Sequence, residues 1–142
     1  MRSMLTPFAI WLGLLLATII AMDLIAVFTV DVNPETRMPR QLSTVAYSIR
    51  FALEAVVYSL IGVLCGRYVR ATPKAGLFAL SLGLAYVIYV ELTSGLWYYL
   101  TAHPSRVDQF FFAAPVLAPV VFLTGACLIY HALMQRSSRY AL

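Results

Sequence analysis

The sequence predicts an all-α membrane protein: a four-transmembrane-helix antiparallel bundle, a single domain over 1–142, with both termini cytoplasmic. Three observations predict it. The chain of 142 residues is 62% hydrophobic and only 11% charged, whereas ordinary soluble domains run at about 45–50% and about 25%, and a small soluble domain has a large surface to cover with charge. Four apolar runs are each long enough to cross a hydrocarbon core of ~30 Å, which takes ~20 helical residues. The Lys and Arg residues fall unevenly on alternate connections between those runs.

The first helix is expected over 7–30, with Pro7 in its first turn, where a missing N–H costs little. Its apolar stretch exceeds the ~7–15 residues of a signal-peptide core and closes on no clean A-x-A site, so a retained helix is expected. The second helix is expected over 45–68, with Ser43 or Thr44 available as its cap. The third is expected over 75–100, ending in Trp97, Tyr98 and Tyr99, the residue types that gather at a membrane interface. The fourth is expected over 110–134 and contains Pro115 and Pro119. Each must be helical, because lipid satisfies no free backbone N–H or C=O. The connections are short, which favours antiparallel neighbours. The longest, 31–44, carries two prolines and mixed charges and suits an ordered exterior loop.

Orientation follows from the basic residues. Arg2, Arg67, Arg70, Lys74, Arg136 and Arg139 lie at the termini and the second connection. Arg37, Arg40 and Arg106 lie at the first and third. Positive charge favours the cytoplasmic side, which places both termini there. A bacterial inner (plasma) membrane is the expected location. The net charge of +4 is spread over termini and connections, so nucleic acid is not an expected partner. Cys65 and Cys127 both fall inside apolar runs, where a free thiol behaves as a small hydrophobe. The sequence contains no CxxC, HExxH or Gly-x-Ser-x-Gly motif. No metal site and no cofactor are expected.

The informative residues are those that lipid does not accept. Asp23 lies on helix 1, Arg50 and Glu54 on helix 2, and Glu91 on helix 3. A charge at a helix centre costs ~2.5–3.5 kcal/mol on insertion scales, so such groups normally face the bundle interior or a wet cavity. At 1.5 Å per residue, the three carboxylates sit ~10–13 Å from the outer ends of their helices, at similar depth. Ser43, Tyr47, Arg50, Glu54 and Tyr58 are spaced by three and four and share one face. Glu91, Ser94 and Tyr98 share another, with Tyr86, Tyr89, Thr93 and Trp97 adjoining. Pro115 and Pro119 each free a carbonyl four residues earlier.

Each feature also has a plain structural reading. Arg50 and Glu54 are spaced to neutralise one another within one helix. Asp23 or Glu91 can act as polar glue between helices. The tyrosines are commonly packing or interface residues. His131 lies far from the acids and is not assigned to the site, and His103 has no visible partner. The case for function rests on charge: three acids and one Arg sum to −2 if all are ionised, which a dry bundle does not hold without protons or a cation.

Three functional readings follow. In the first, Asp23, Arg50, Glu54, Glu91, Tyr47, Tyr58 and Ser94 bind protons, a small cation or a lipophilic ligand in a transport-like role, in a homodimer or with a partner. In the second, the chain is an accessory or assembly subunit of a larger membrane complex, and Gly62 and Gly66 mark a close helix contact, within the chain or between chains. In the third, Glu54, Glu91 and Asp23 are acid/base candidates of a membrane enzyme acting on an isoprenoid or other lipophilic substrate.

Overall fold

The computed structural model describes the backbone of residues 2–29, 44–94 and 106–140 and, within these, the side chains of 5–29, 45, 48–71, 73–93 and 117–137. The described residues form four helices: α1 (Arg2–Thr29), α2 (Thr44–Tyr68), α3 (Thr72–Ser94) and α4 (Arg106–Tyr140). All four are long and apolar enough to cross a membrane. Ser43, the first connection with Arg37 and Arg40, the aromatic trio at 97–99 and His103 lie outside the described residues.

Two helices reach further than their apolar runs. The first starts at Arg2, so Pro7 sits inside it rather than in its first turn. The fourth extends through the polar stretch after Met134 to Tyr140. Apolar runs mark the part of a helix that suits lipid. Backbone hydrogen bonding continues past that limit wherever the next residues tolerate helix, as Gln135 and Arg136 do. The connection between α2 and α3 is very tight. The Val69 N–H still donates to the Cys65 carbonyl at 2.9 Å, and the Ala75 N–H donates to Ala71 at 2.9 Å. Pro73 occupies the start of α3, where its missing donor is not needed.

Small residues decide the packing. Lipid tails are as apolar as leucine, so helices in lipid associate by close contact rather than by expulsion of water. The Gly62-Val-Leu-Cys-Gly66 segment is spent inside the chain. Gly62 lies against the backbone of Leu123 and Gly66 against Tyr130 and Cys127, so residue numbers rise together along α2 and α4. Along α3 and α4 they run oppositely, with Gly76 beside Leu128 and Gly83 against Val120 and Pro119. The core between these three helices holds Cys65, Ala75, Ala79, Leu82, Leu123 and Cys127, all fully buried. Both cysteines are free.

The α1 helix touches α2 and α3 but not α4 among the described residues, so α1 and α4 lie on opposite sides of the α2–α3 pair. It is the least buried of the four. Thr18 and Met22 form its inward stripe, and Trp11 Nε1 donates to Ser81 Oγ on α3 at 3.0 Å. Leu16, Ile20, Leu24, Val27 and Phe28 face outward. A helix that is apolar around its whole circumference is what a membrane span requires.

Candidate functional site

The polar cluster is built on the stripe of α2. Arg50 and Glu54 are one helical turn apart, and Arg50 Nε donates to Glu54 Oε1 at 2.8 Å. Their side chains are 30% and 12% exposed, so the pair sits at the edge of the bundle with the carboxylate on the inner side. One turn further, Tyr58 is only 2% exposed. Its ring meets that of Tyr86 on α3 edge-on, with centroids 5.9 Å apart and planes at 61°. Tyr89 continues the aromatic row, its ring 6.3 Å from that of Tyr86.

The ion pair and the tyrosine pair lie one helical turn apart on α2, so a guanidinium, a carboxylate and two phenols follow one another from the rim of α2 to the α2–α3 interface.

The other residues singled out from sequence are placed as follows. Asp23 is exposed on α1, beside the inward-facing Met22, and Glu91 is half-buried on α3. The depth of Glu91 follows from register. Tyr58 meets Tyr86 and Tyr68 meets Phe78, so Glu54, one turn before Tyr58, comes level with the Val90–Glu91 region of α3. The side chains of Tyr47 and Ser94 lie outside the described set, as does that of Pro115. Pro119 is fully buried against Gly83. Among the described residues, no three of His, Cys, Asp and Glu converge as a metal-ligand set would.

From sequence, Tyr86 falls on an adjoining face of helix 3, outside the ligand-binding set. A signal for it was present. The tight connection pairs residues symmetric about position 72, and Tyr58 and Tyr86 are equidistant from that position. His131 was likewise set aside. It is buried and bonded to the backbone of Val69 at 2.9 Å, a structural contact at the opposite end of the bundle from Glu54.

Fold and cluster together define a compact helical bundle whose four helices are long and apolar enough to cross a membrane, with an ion pair and a tyrosine pair set into it. Comparison with protein-family models, with curated proteins and with solved structures gave no match.

Proposed function

We propose that this chain is a four-span antiparallel membrane bundle with cytoplasmic termini, and that its Arg50–Glu54–Tyr58–Tyr86 cluster binds a proton or small cation in the outer half of the membrane. The observation that carries the reading is the position of Glu54. Its side chain is mostly buried, paired with Arg50 and one helical turn from Tyr58, which packs on Tyr86. A neutral pair used only to enter the membrane needs no such neighbours. Here phenol hydroxyls, which can pass a proton or complete a cation's oxygen shell, stand one turn along the same helix and on its neighbour. Asp23 and Glu91 stand at the margin of the same level and add negative potential. The contact registers and the tight α2–α3 connection support the antiparallel arrangement. The excess of Lys and Arg at the termini and second connection supports the orientation.

The test is a titration of purified protein with Na⁺, K⁺ and a quaternary ammonium probe, read by tyrosine fluorescence and by a pH dye for released protons. A saturable response to one of them, lost in Glu54→Gln, is expected. A flat response to all three, with the pH dye unchanged between wild type and Glu54→Gln, would overturn the reading. Orientation is tested with single cysteines at Thr36 and Ser105. Both should label from outside the cell, against a low background because Cys65 and Cys127 are buried.

A second reading is favoured by Asp23. Its carboxylate lies on the exposed side of a helix whose outward residues are otherwise apolar. A charge turned toward lipid is costly, and a partner helix would relieve that cost. Under this reading the chain is a subunit of a homodimer or larger complex joined through α1. Asp23→Leu should then shift the mass of the detergent-solubilised particle measured by light scattering. An unchanged mass would remove this reading.

A further inference from the structure

We infer that the cleft between the last turn of α2 and the 130–135 stretch of α4 is a binding site for the phosphate of an anionic phospholipid. This inference needs the chain to span a membrane but is independent of the cation-binding reading, because the cleft lies at the far end of α2 from Glu54.

The cleft has a volume of about 310 Å³ and is lined by Arg67, Arg70, Tyr130, His131, Met134 and Gln135, with Gly66 at its base. Two features hold it open. A side chain on Gly66 would collide with the Tyr130 ring, so glycine there lets that ring lie against α2 and form a wall. On the other side, His131 is fixed by its bond to the Val69 carbonyl. That bond also occupies an acceptor which would otherwise repel an anion at the C-terminal end of α2.

The lining is a donor set. Two guanidinium groups, a phenol and a carboxamide converge on one opening, and arginine forks match phosphate oxygens in pairs. No acidic side chain lines the cleft. The nearest acid on α2 is Glu54, thirteen residues before Arg67, or ~20 Å along the helix. Among the described residues no carboxylate lines the cleft beside this positive charge, which calls for an external anion.

The surroundings select a lipid over free phosphate. The apolar spans end at Tyr68 and Ser137, so the cleft lies where hydrocarbon gives way to headgroups. Met134 lines the cleft and is itself exposed, so an acyl chain below the phosphate has an apolar side chain to lie against. Free phosphate would gain nothing from that contact.

The experiment is native mass spectrometry of the full chain released from detergent with added phosphatidylglycerol or phosphatidylcholine, and with inorganic phosphate as competitor. Retention of phosphatidylglycerol over phosphatidylcholine is expected. Each of Arg67→Gln and Arg70→Gln should weaken it about fivefold, the value of one basic residue at an anionic surface. Arg136→Gln, which removes an equal charge outside the cleft, should leave it unchanged. Both cleft arginines are exposed, and a circular dichroism spectrum checks that the variants keep their helices. Equal retention of the two lipids, or equal loss in all three variants, would overturn the site. Displacement of the lipid by equimolar phosphate would identify a free-anion site and overturn the lipid assignment.

Discussion

His131 Nε2 donates to the carbonyl oxygen of Val69 at 2.9 Å, joining α4 to the chain just past the end of α2. The last carbonyls of a helix have no partner within it, and at a tight connection inside a bundle water cannot always supply one. His131 is 7% exposed and Val69 half-buried, so this bond is largely shielded from solvent. Removing the donor leaves a buried acceptor, which costs about 1–3 kcal/mol. His131→Phe should lower the thermal midpoint in detergent accordingly, and His131→Gln, which keeps an N–H donor, should recover part of the loss. Equal midpoints for His131→Phe and wild type would show that the bond contributes nothing.

The glycines sort into two groups by what stands beside them. A Cβ on Gly62 would strike the Leu123 carbonyl, part of a backbone that cannot swing aside, whereas Gly13 and Gly125 have open space. Gly62→Ala should therefore destabilise the bundle by about 1–3 kcal/mol through overpacking. Gly13→Ala should be neutral or stabilising by up to ~1 kcal/mol, because alanine favours helix over glycine. Denaturant-induced loss of helicity in mixed micelles separates the two. A loss for Gly13→Ala as large as that for Gly62→Ala would mean that the α2–α4 contact is not the cause.

Four helices were legible because length and hydropathy decide what lipid accepts, and the ends of α2 and the start of α3 fall within three residues of their apolar runs, whereas the expected outer end of helix 3 at 100 lies outside the described residues. The Arg50–Glu54 pair was legible for the same local reason: an i, i+4 spacing brings two side chains together whatever the tertiary fold. The Tyr58–Tyr86 pair and the His131–Val69 bond were harder. They join different helices, and their discovery needs the register between those helices, which the composition of any one helix does not contain. The exposed position of Asp23 is a similar case. Rotating a span by one residue turns a side chain by ~100°, and on a helix apolar all round no polar face fixes that rotation.

Thr124 presents a small test of packing chemistry. Its hydroxyl is buried and is the one side-chain polar atom among the described residues found buried without a hydrogen-bond partner. Thr18, also buried, donates to the Leu14 carbonyl at 2.8 Å. Replacing an unpaired hydroxyl by a methyl removes a desolvation cost without losing a bond. Thr124→Val should leave the thermal midpoint unchanged or raise it, while Thr18→Val should lower it by about 0.5–1.5 kcal/mol equivalent. A clear loss for Thr124→Val would reveal a partner for that hydroxyl in the membrane-embedded protein.

Arg50 and Glu54 are held at 2.8 Å, with the carboxylate the more buried member. Their removal is therefore asymmetric. Arg50→Ala leaves a mostly enclosed carboxylate beside Tyr58 without its counter-charge. Glu54→Gln leaves a guanidinium that is nearly one-third exposed and can lean toward the headgroups. Fully buried pairs lose about 3–5 kcal/mol when one partner is removed, and exposed i, i+4 pairs only ~0.3–0.5 kcal/mol. With exposure between those limits, Arg50→Ala should cost about 1–3 kcal/mol and Glu54→Gln less than half of that. The double variant Arg50→Ala/Glu54→Gln should recover most of the Arg50→Ala loss, because no unpaired carboxylate remains. Steric trapping or denaturant unfolding in bicelles measures all three. Simple additivity of the two single losses would show that the ion pair contributes no coupling energy, and that Arg50 is held by its surroundings rather than by Glu54.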